Sequence, residues 1–332
     1  MNNLNFVQKS VLATIAYYDI FDHPLTGLEA FKYLINPLHI VGQLNQMHET
    51  KLEPMASISF AGVLKTLENF RAEKVIAEKN GFYFLPAREA IIKERIERQK
   101  ISGQRWKKVK KVIKLIQFVP FLEMVAVCNS LAIDNSKEEA DIDFFIVAKK
   151  GRIWSVRLMV TFLIWIMGEW RHKEKISARI CLSFYVSDNF LNLRPLAINP
   201  YDIYLAHWIA QLRPVFCQKN IYAEFISQNF WVRDYLLNFG QFPNFYHPEF
   251  KASKIATWFR GVCEGVLSSW LGNLKEKILC FFQKKKISRK LVEHDIPTAV
   301  VVSENVLKFH ENDKRAFFQQ EFLKRIKNTF KH

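Results

Sequence analysis

The feature that most constrains the fold is the apolar run at residues 144–147 (Phe-Phe-Ile-Val), which directly follows Asp141-Ile142-Asp143. Consecutive apolar residues next to a charged segment predict a strand that is buried on both faces. Such a strand needs a sheet with cover on both sides. Residues 125–128 and 180–186 are further strand candidates, residues 299–302 are a candidate for a late edge strand, and helical patterns lie between and around them. We therefore expect an α+β chain with a central sheet and flanking helices.

Length and charge limit the class of protein. The chain has 332 residues, which favours two or three domains. Its formal net charge is +16. Charge of this size concerns partners and solubility rather than fold. Nucleic acid, an anionic membrane surface and a polyphosphate substrate all fit it, as does a simple coat of surface lysines.

Cysteine usage and the apolar segments predict a cytoplasmic location. Five scattered cysteines form no CxxC pair, so a zinc site is not expected. The odd count and an N-terminus without a basic, then apolar, leader favour a reducing compartment. The apolar run at 158–168 is shorter than the roughly 20 residues that cross a bilayer. It predicts a buried core helix, and integral membrane insertion is not expected.

Residues 1–86 carry the pattern of a small helical domain. Two short helices are predicted over 5–35, the second after a capping box of Thr26 and Glu29. A loop or insertion is expected at 36–56, and a third helix near Ser59. Asn80-Gly81 between two β-prone runs predicts a hairpin. Three helices followed by a hairpin resemble the winged helix-turn-helix fold. Four contact groups are expected on the third helix: Lys65, Thr66, Asn69 and Arg71.

Residues 87–118 predict a helical connector, broken at Gly103, with a strongly basic second half from Arg105 to Lys114. Such a run is usually a solvated helix face. A stripe that contacts nucleic-acid phosphates is the alternative. The sequence leaves both interpretations open.

The residues that suggest chemistry lie between 125 and 147. Side chains alternate along a strand, so Asp141 and Asp143 point to one face. Two carboxylates on one face suit Mg²⁺, which binds through one or two carboxylates and substrate phosphates. Two such ions stabilise the attacking and leaving oxygens of a displacement at phosphorus. Ser130, at a turn into a helix, is placed to offer its hydroxyl and backbone N–H to phosphates.

The order of a strand, Asn129-Ser130-Leu131, a polar loop and Asp-Ile-Asp entering an apolar strand resembles the DNA polymerase β-type nucleotidyltransferase superfamily. The resemblance implies a mixed sheet over 119–245 and transfer of a nucleoside monophosphate from an NTP, with release of pyrophosphate. It implies that Asp141 and Asp143 are catalytic metal ligands for Mg²⁺, with two ions plausible, and that Asn129 and Ser130 contact the nucleotide. The acceptor is RNA, protein or a small molecule.

Two positions depart from that pattern. Asn129 stands where the family has glycine, and asparagine tolerates a left-handed backbone best after glycine. The family also places a third carboxylate on a later strand, yet 180–186 has none, and Asp188 is the nearest candidate. The alternative function is therefore a catalytically degenerate chain that acts as a nucleic-acid-binding or regulatory module.

Residues 246–332 predict a basic helical region. The whole order loosely resembles uncharacterised bacterial nucleotidyltransferase-domain proteins. The resemblance covers a helix at 202–214, with His207 and Gln211 on one face, and a tail containing His310 and Asp313. His207 and His310 are candidates for substrate contact, although a lone histidine is more often structural.

An amphipathic pattern at 252–283 carries Trp258 and Trp270, and it leads through Phe281 and Phe282 to a basic cluster at 284–290. A core-packing helix with a solvated basic end is the favoured interpretation. A surface lying on an anionic bilayer is the alternative.

Overall fold

The N-terminal part of the chain is a small helical unit with its own sheet. A computed structural model describes residues 4–38, 58–172, 176–198, 201–218, 220–242, 252–288, 299–309 and 313–329. Three helices, α1 (Phe6–Asp19), α2 (Gly27–Lys32) and α3 (Phe60–Ala72), pack with β1 (Leu25–Thr26), β2 (Ala77–Lys79) and β3 (Phe82–Phe84). The strands form an antiparallel sheet in the order β1-β3-β2.

Local signals in the sequence set these elements. The predicted capping box is present, because the Thr26 side chain accepts from the Glu29 N–H and the Glu29 carboxylate accepts from the Thr26 N–H. Ser59 caps α3. Asn80 and Gly81 both have positive φ, 56° and 78°, as a tight hairpin turn between β2 and β3 requires. The predicted loop at 36–56 lies mostly outside the described residues.

The rest of the described chain is built around a six-stranded sheet in the order β7-β4-β5-β6-β9-β8. Its strands are β4 (Leu122–Val127), β5 (Ile142–Ala148), β6 (Ile180–Ser187), β7 (Arg213–Cys217), β8 (Val300–Val302) and β9 (Val306–Phe309). Only the pair β5–β6 is parallel among these described strands, so the sheet is mixed. The chain is thus α+β, as predicted.

The remaining helices cover the two faces of this sheet. They are α4 (Ala90–Ile116), α5 (Asn129–Ala132), α6 (Ile153–Ile166), α7 (Ile203–Gln211), α8 (Ile221–Gln228), α9 (Lys254–Leu267), α10 (Trp270–Ser288) and α11 (Arg315–Thr329). On β5, Phe144 and Ile146 belong to a core shared with α4 and α6, whereas Phe145 and Val147 belong to one shared with α1 and α7. Strand β5 is therefore buried on both faces, as its apolar run predicts.

Three predictions about elements need correction. Helix α4 continues through Gly103 without a break, because its flanking turns are held by buried Ser102, Arg105 and Trp106. The helix expected at 202–214 ends at Gln211, and Arg213–Cys217 forms an edge strand instead. The single helical pattern at 252–283 is divided into α9 and α10.

Among the described residues, no helix is long and apolar enough to cross a membrane. All five cysteines lie in described segments as free thiols.

Candidate functional site

Asp141 and Asp143 lie at the N-terminal end of β5. Asp141 immediately precedes the strand, and Asp143 is paired in register with Cys181 on the parallel strand β6. One ligand atom from each of Asp141, Asp143 and Cys181 lies within 4.8 Å of the others. The structure therefore brings the predicted carboxylate pair together and adds a thiol on the neighbouring strand.

The turn between β4 and α5 faces this pair. Asn129 has φ 56°, the left-handed conformation in which asparagine replaces glycine most readily. Its Nδ2 donates a 2.8 Å hydrogen bond to Asp143 Oδ2. Asn129 therefore preserves the turn and orients one carboxylate of the pair.

Asp143 and Asp141 differ in their surroundings: Asp143 is affected mainly by burial, and Asp141 is paired with a cation. Burial, followed by the nearby Asp141 charge, raises the pKa of Asp143 to about 6. Arg171 Nη1 lies 2.7 Å from Asp141 Oδ2 as an ion pair, although the two atoms lack hydrogen-bond alignment. A protein cation already compensates part of the acidic charge.

The donor set fits a hard divalent cation only in part. Two carboxylates and open space beside them suit Mg²⁺. The third neighbour is a sulfur whose pKa is raised to about 12, mainly by burial, so Cys181 is a neutral thiol and a poor Mg²⁺ ligand. The fit therefore rests on Asp141 and Asp143, and an incoming cation has to compete with Arg171.

A cavity of about 510 Å³ opens beside Asp141 of the acidic pair. Its walls come from the N-terminal helix α1, the turn into α5, helix α7 and helix α11, and they combine aromatic rings, polar groups and two cations. The lining residues are Tyr17, Tyr18, Phe21, Asn129, Ser130, Ile133, Asn135, Asp141, Arg171, Tyr204, His207, Trp208, Gln211, Lys314 and Phe318. Ser130, predicted to contact a nucleotide, thus shares the cavity with Asp141.

His207 lies in the wall of this cavity. Its ring stacks on Tyr17 with centroids 3.9 Å apart, and Nδ1 lies 3.4 Å from Tyr18 Oη. Its Nε2 is buried and has no hydrogen-bond partner among the described residues. Burial lowers the pKa of His207 to about 3, so the ring is neutral. Gln211, on the same face of α7, donates to Tyr18 Oη at 2.7 Å.

Helix α11 is held against the cavity by a buried ion cluster. Arg315 donates to Asp202 Oδ2 at 2.8 Å and also to Asp313 at 2.6 Å. Asp202 in turn caps α7 by accepting from the Leu205 N–H at 2.8 Å. Asp313, noted in the tail pattern, therefore belongs to a structural cluster that fixes α11 and Lys314.

Asp188, the predicted third carboxylate, lies elsewhere. It follows β6 at its C-terminal end, where its Oδ1 accepts from the Lys150 N–H at 2.8 Å. Because β5 and β6 are parallel, this end is opposite to the one that carries Asp141 and Asp143. The assignment of Asp188 to the site is therefore corrected. His310, the other tail candidate, lies outside the described residues.

Several residues of the site were not predicted. Cys181 is detectable only from its register with Asp143. Arg171, Tyr204 and Lys314 carry no local motif, and they reach the cavity through the packing of segments that are distant in sequence.

Comparison of the chain with protein-family models, with curated proteins and with solved structures finds no match in any of the three.

Proposed function

We propose that this chain binds a Mg²⁺-nucleoside triphosphate in the cavity beside Asp141 and Asp143 and acts as a nucleotidyltransferase. The observation that carries the proposal is that one cavity combines a metal-capable carboxylate, cations and aromatic rings. The order of strand, Asn-Ser turn and Asp-x-Asp strand, which resembles the polymerase β-type superfamily, supports the same assignment.

Each part of the cavity has a counterpart in such a ligand. Arg171 and Lys314 suit phosphate oxygens, and the aromatic walls suit a base. Bound Mg²⁺ would supply charge neutralisation at the phosphates. Asn129 and Ser130 would orient the phosphates at the turn. In this scheme the protein positions the α-phosphorus for attack by an acceptor hydroxyl or phosphate, and pyrophosphate leaves.

The direct test is isothermal titration of the full chain with each of the four ribonucleoside triphosphates, with and without Mg²⁺. Binding should require Mg²⁺, and the double substitution Asp141→Asn/Asp143→Asn should abolish it. Asp188→Asn is a matched control, because it removes a carboxylate at the opposite end of the same parallel strand pair. Equal binding by wild type and the double variant would refute the site.

Turnover needs a separate readout. Incubation with triphosphates labelled at the α-phosphate, in the presence of cellular RNA and protein, should transfer label to an acceptor. Triphosphates labelled at the γ-phosphate should give labelled pyrophosphate and no labelled acceptor.

A specific observation favours a second candidate function: a catalytically degenerate protein that binds nucleic acid or has a regulatory role. Arg171 already neutralises Asp141, and the third neighbour is Cys181 rather than a carboxylate. Exposed Lys107, Lys110 and Lys111 on α4 would contact nucleic-acid phosphates.

If the chain binds nucleic acid, helix α3 offers few side chains for base-specific contacts. Thr66 is turned to its own helix backbone, with its hydroxyl donating to the Gly62 carbonyl. Arg71 is paired with Glu68 and Glu78. Salt-dependent RNA or DNA binding in a gel shift, without label transfer, would favour this second function.

A further inference from the structure

Helix α9 has its charged and apolar faces reversed relative to an ordinary packed helix. Arg260 is buried, with its guanidinium 5.5 Å from the centroid of the Phe216 ring. Glu264 Oε1 lies 3.4 Å from Arg260 Nη2 and accepts a hydrogen bond from the Phe121 N–H at 2.8 Å. Arg260 and Glu264 of α9 thus face the six-stranded sheet.

The apolar residues of α9 face outward instead. Ile255, Trp258 and Val266 are 71%, 69% and 69% exposed, and Val262 is also exposed. Their spacing places them along one side of the helix. Core packing, the interpretation favoured by the sequence, therefore does not account for this side.

Helix α10 extends the same surface. Trp270 is 71% exposed, and Leu274, Ile278, Phe281 and Phe282 are exposed with it. Helices α9 and α10 contact each other and are joined at Ser268 and Ser269. We call the outward aromatic and aliphatic residues of these two adjacent helices the α9–α10 face. A patch of this kind marks an interaction site.

Cations lie beside the Phe281 end of this face. A cavity of about 850 Å³ between α10 and the start of α6 contains Phe281 of the face and five cationic side chains: Lys149, Lys150, Arg152, Lys277 and Lys284. Its two carboxylates are Glu276 and Glu304. Glu276 is already engaged, because it accepts from the N–H groups of Trp154 at 2.8 Å and Ser155 at 3.1 Å.

We propose that the α9–α10 face binds the surface of an anionic bilayer, with its tryptophans and phenylalanines in the headgroup region and the lysine-lined cavity against lipid phosphates. Interfacial helices combine these two features, an aromatic face and flanking lysines. A second copy of the chain fits less well, since two such faces would bring their lysines together. The proposal does not depend on the nucleotide site.

The test is co-sedimentation of the full chain with phosphatidylcholine vesicles, with or without phosphatidylserine. Binding should require phosphatidylserine and weaken with added salt. The double substitution Trp258→Ser/Trp270→Ser should lower the partition coefficient by about tenfold or more. Lys277→Glu/Lys284→Glu should lower it by at least about tenfold, because each reversal changes the charge by two units.

Matched controls remove an aromatic ring and reverse a charge elsewhere on the exposed surface. Phe230→Ser and Lys65→Glu should leave vesicle binding unchanged, and circular dichroism should show that all variants are folded. No binding to phosphatidylserine vesicles would overturn the proposal, as would binding that both double variants retain. A concentration-dependent dimer, dissociated by Trp258→Ser/Trp270→Ser in light scattering without any lipid binding, would assign the face to a second copy instead.

Discussion

In the proposed metal site, the Arg171 guanidinium competes with the metal ion for Asp141. This guanidinium lies 2.7 Å from Asp141 Oδ2, where it competes with any incoming cation. We expect Arg171→Gln to raise the affinity for Mg²⁺ alone by about threefold or more. Titration calorimetry without nucleotide measures this change.

The same substitution separates two roles of Arg171. If its guanidinium also binds phosphates, affinity for the Mg²⁺-triphosphate complex should fall while affinity for Mg²⁺ alone rises. Arg179→Gln is a suitable control, since Arg179 pairs with Glu169 rather than with the acidic pair. Unchanged Mg²⁺ affinity in Arg171→Gln would contradict the competition.

The raised pKa of Asp143 predicts a pH-dependent gain from Asp143→Asn. The ionised carboxylate is disfavoured in the folded state, where the pKa is about 6 against an ordinary 3.8. The loss of folding stability caused by ionised Asp143 is therefore fully present above pH 6, and it disappears as pH falls towards 3.8. Asp143→Asn should raise the free energy of unfolding by about 2–3 kcal/mol well above pH 6.

Urea unfolding well above and well below pH 6 measures this gain. The gain should shrink in acid, because wild-type Asp143 then takes up a proton and loses its penalty. A gain that is the same at both pH values would show that the substitution acts through packing rather than through charge.

At the scale of elements, the position of α11 depends on Arg315. This side chain is buried with Asp202 and Asp313, so removing the guanidinium leaves carboxylate charge uncompensated. Arg315→Met should therefore cost about 3–5 kcal/mol in the free energy of unfolding. Lys324→Met, at an exposed position of the same helix, should stay within about 0.5 kcal/mol. Urea denaturation compares the two variants, and equal effects would contradict the role of the buried cluster.

Elements with local signals were predictable, and elements defined by distant partners were not. The cap at Thr26, the Asn80-Gly81 turn and the apolar run of β5 each encode their structure within a few residues. Strand β7 contains Pro214, which is tolerated because β7 is at the edge of the sheet. Its strand conformation comes from pairing with β4, and no residue near β7 in the sequence indicates that pairing.

In the candidate site, too, residues with a local sequence signal were predictable and residues brought in by tertiary packing were not. The carboxylate pair and the left-handed Asn129 follow from strand alternation and turn chemistry. The aromatic wall and Lys314 were not predictable, because α1 and α11 come together only through tertiary packing, in which Tyr17 meets Phe322 and Asp19 pairs with Arg325. Likewise, the periodic pattern at 252–283 predicts an amphipathic helix but not which of its sides faces solvent.

At the scale of the whole molecule, two buried imidazoles should make stability sensitive to acid. Burial lowers the pKa of both His23 and His207 from 6.5 to about 3, with Arg95 contributing at His23. Below pH 6.5 the unfolded chain binds protons that the folded chain rejects, so stability falls as pH falls. Each histidine contributes about 1.4 kcal/mol per pH unit, and Asp143 partly opposes them below pH 6.

His207→Phe tests this account through a slope rather than an absolute stability. The phenyl ring keeps the stacking partner of Tyr17 but removes the titrating group. Plots of unfolding free energy against pH below 6.5 should become shallower by about 1.4 kcal/mol per pH unit. An unchanged slope would show that His207 takes up its proton in the folded state.

The cavity beside the acidic pair has walls from both α1 and α11, and this has a consequence for protein synthesis. Strands β4, β5 and β6 leave the ribosome well before α11 does, and folding proceeds from the N-terminal side during translation. A nascent chain therefore displays its carboxylates to solvent before the last wall exists. Under the proposed function, ligand binding is then a late event that waits for α11 to dock on α1, and a chain that stalls before α11 lacks one wall of the cavity.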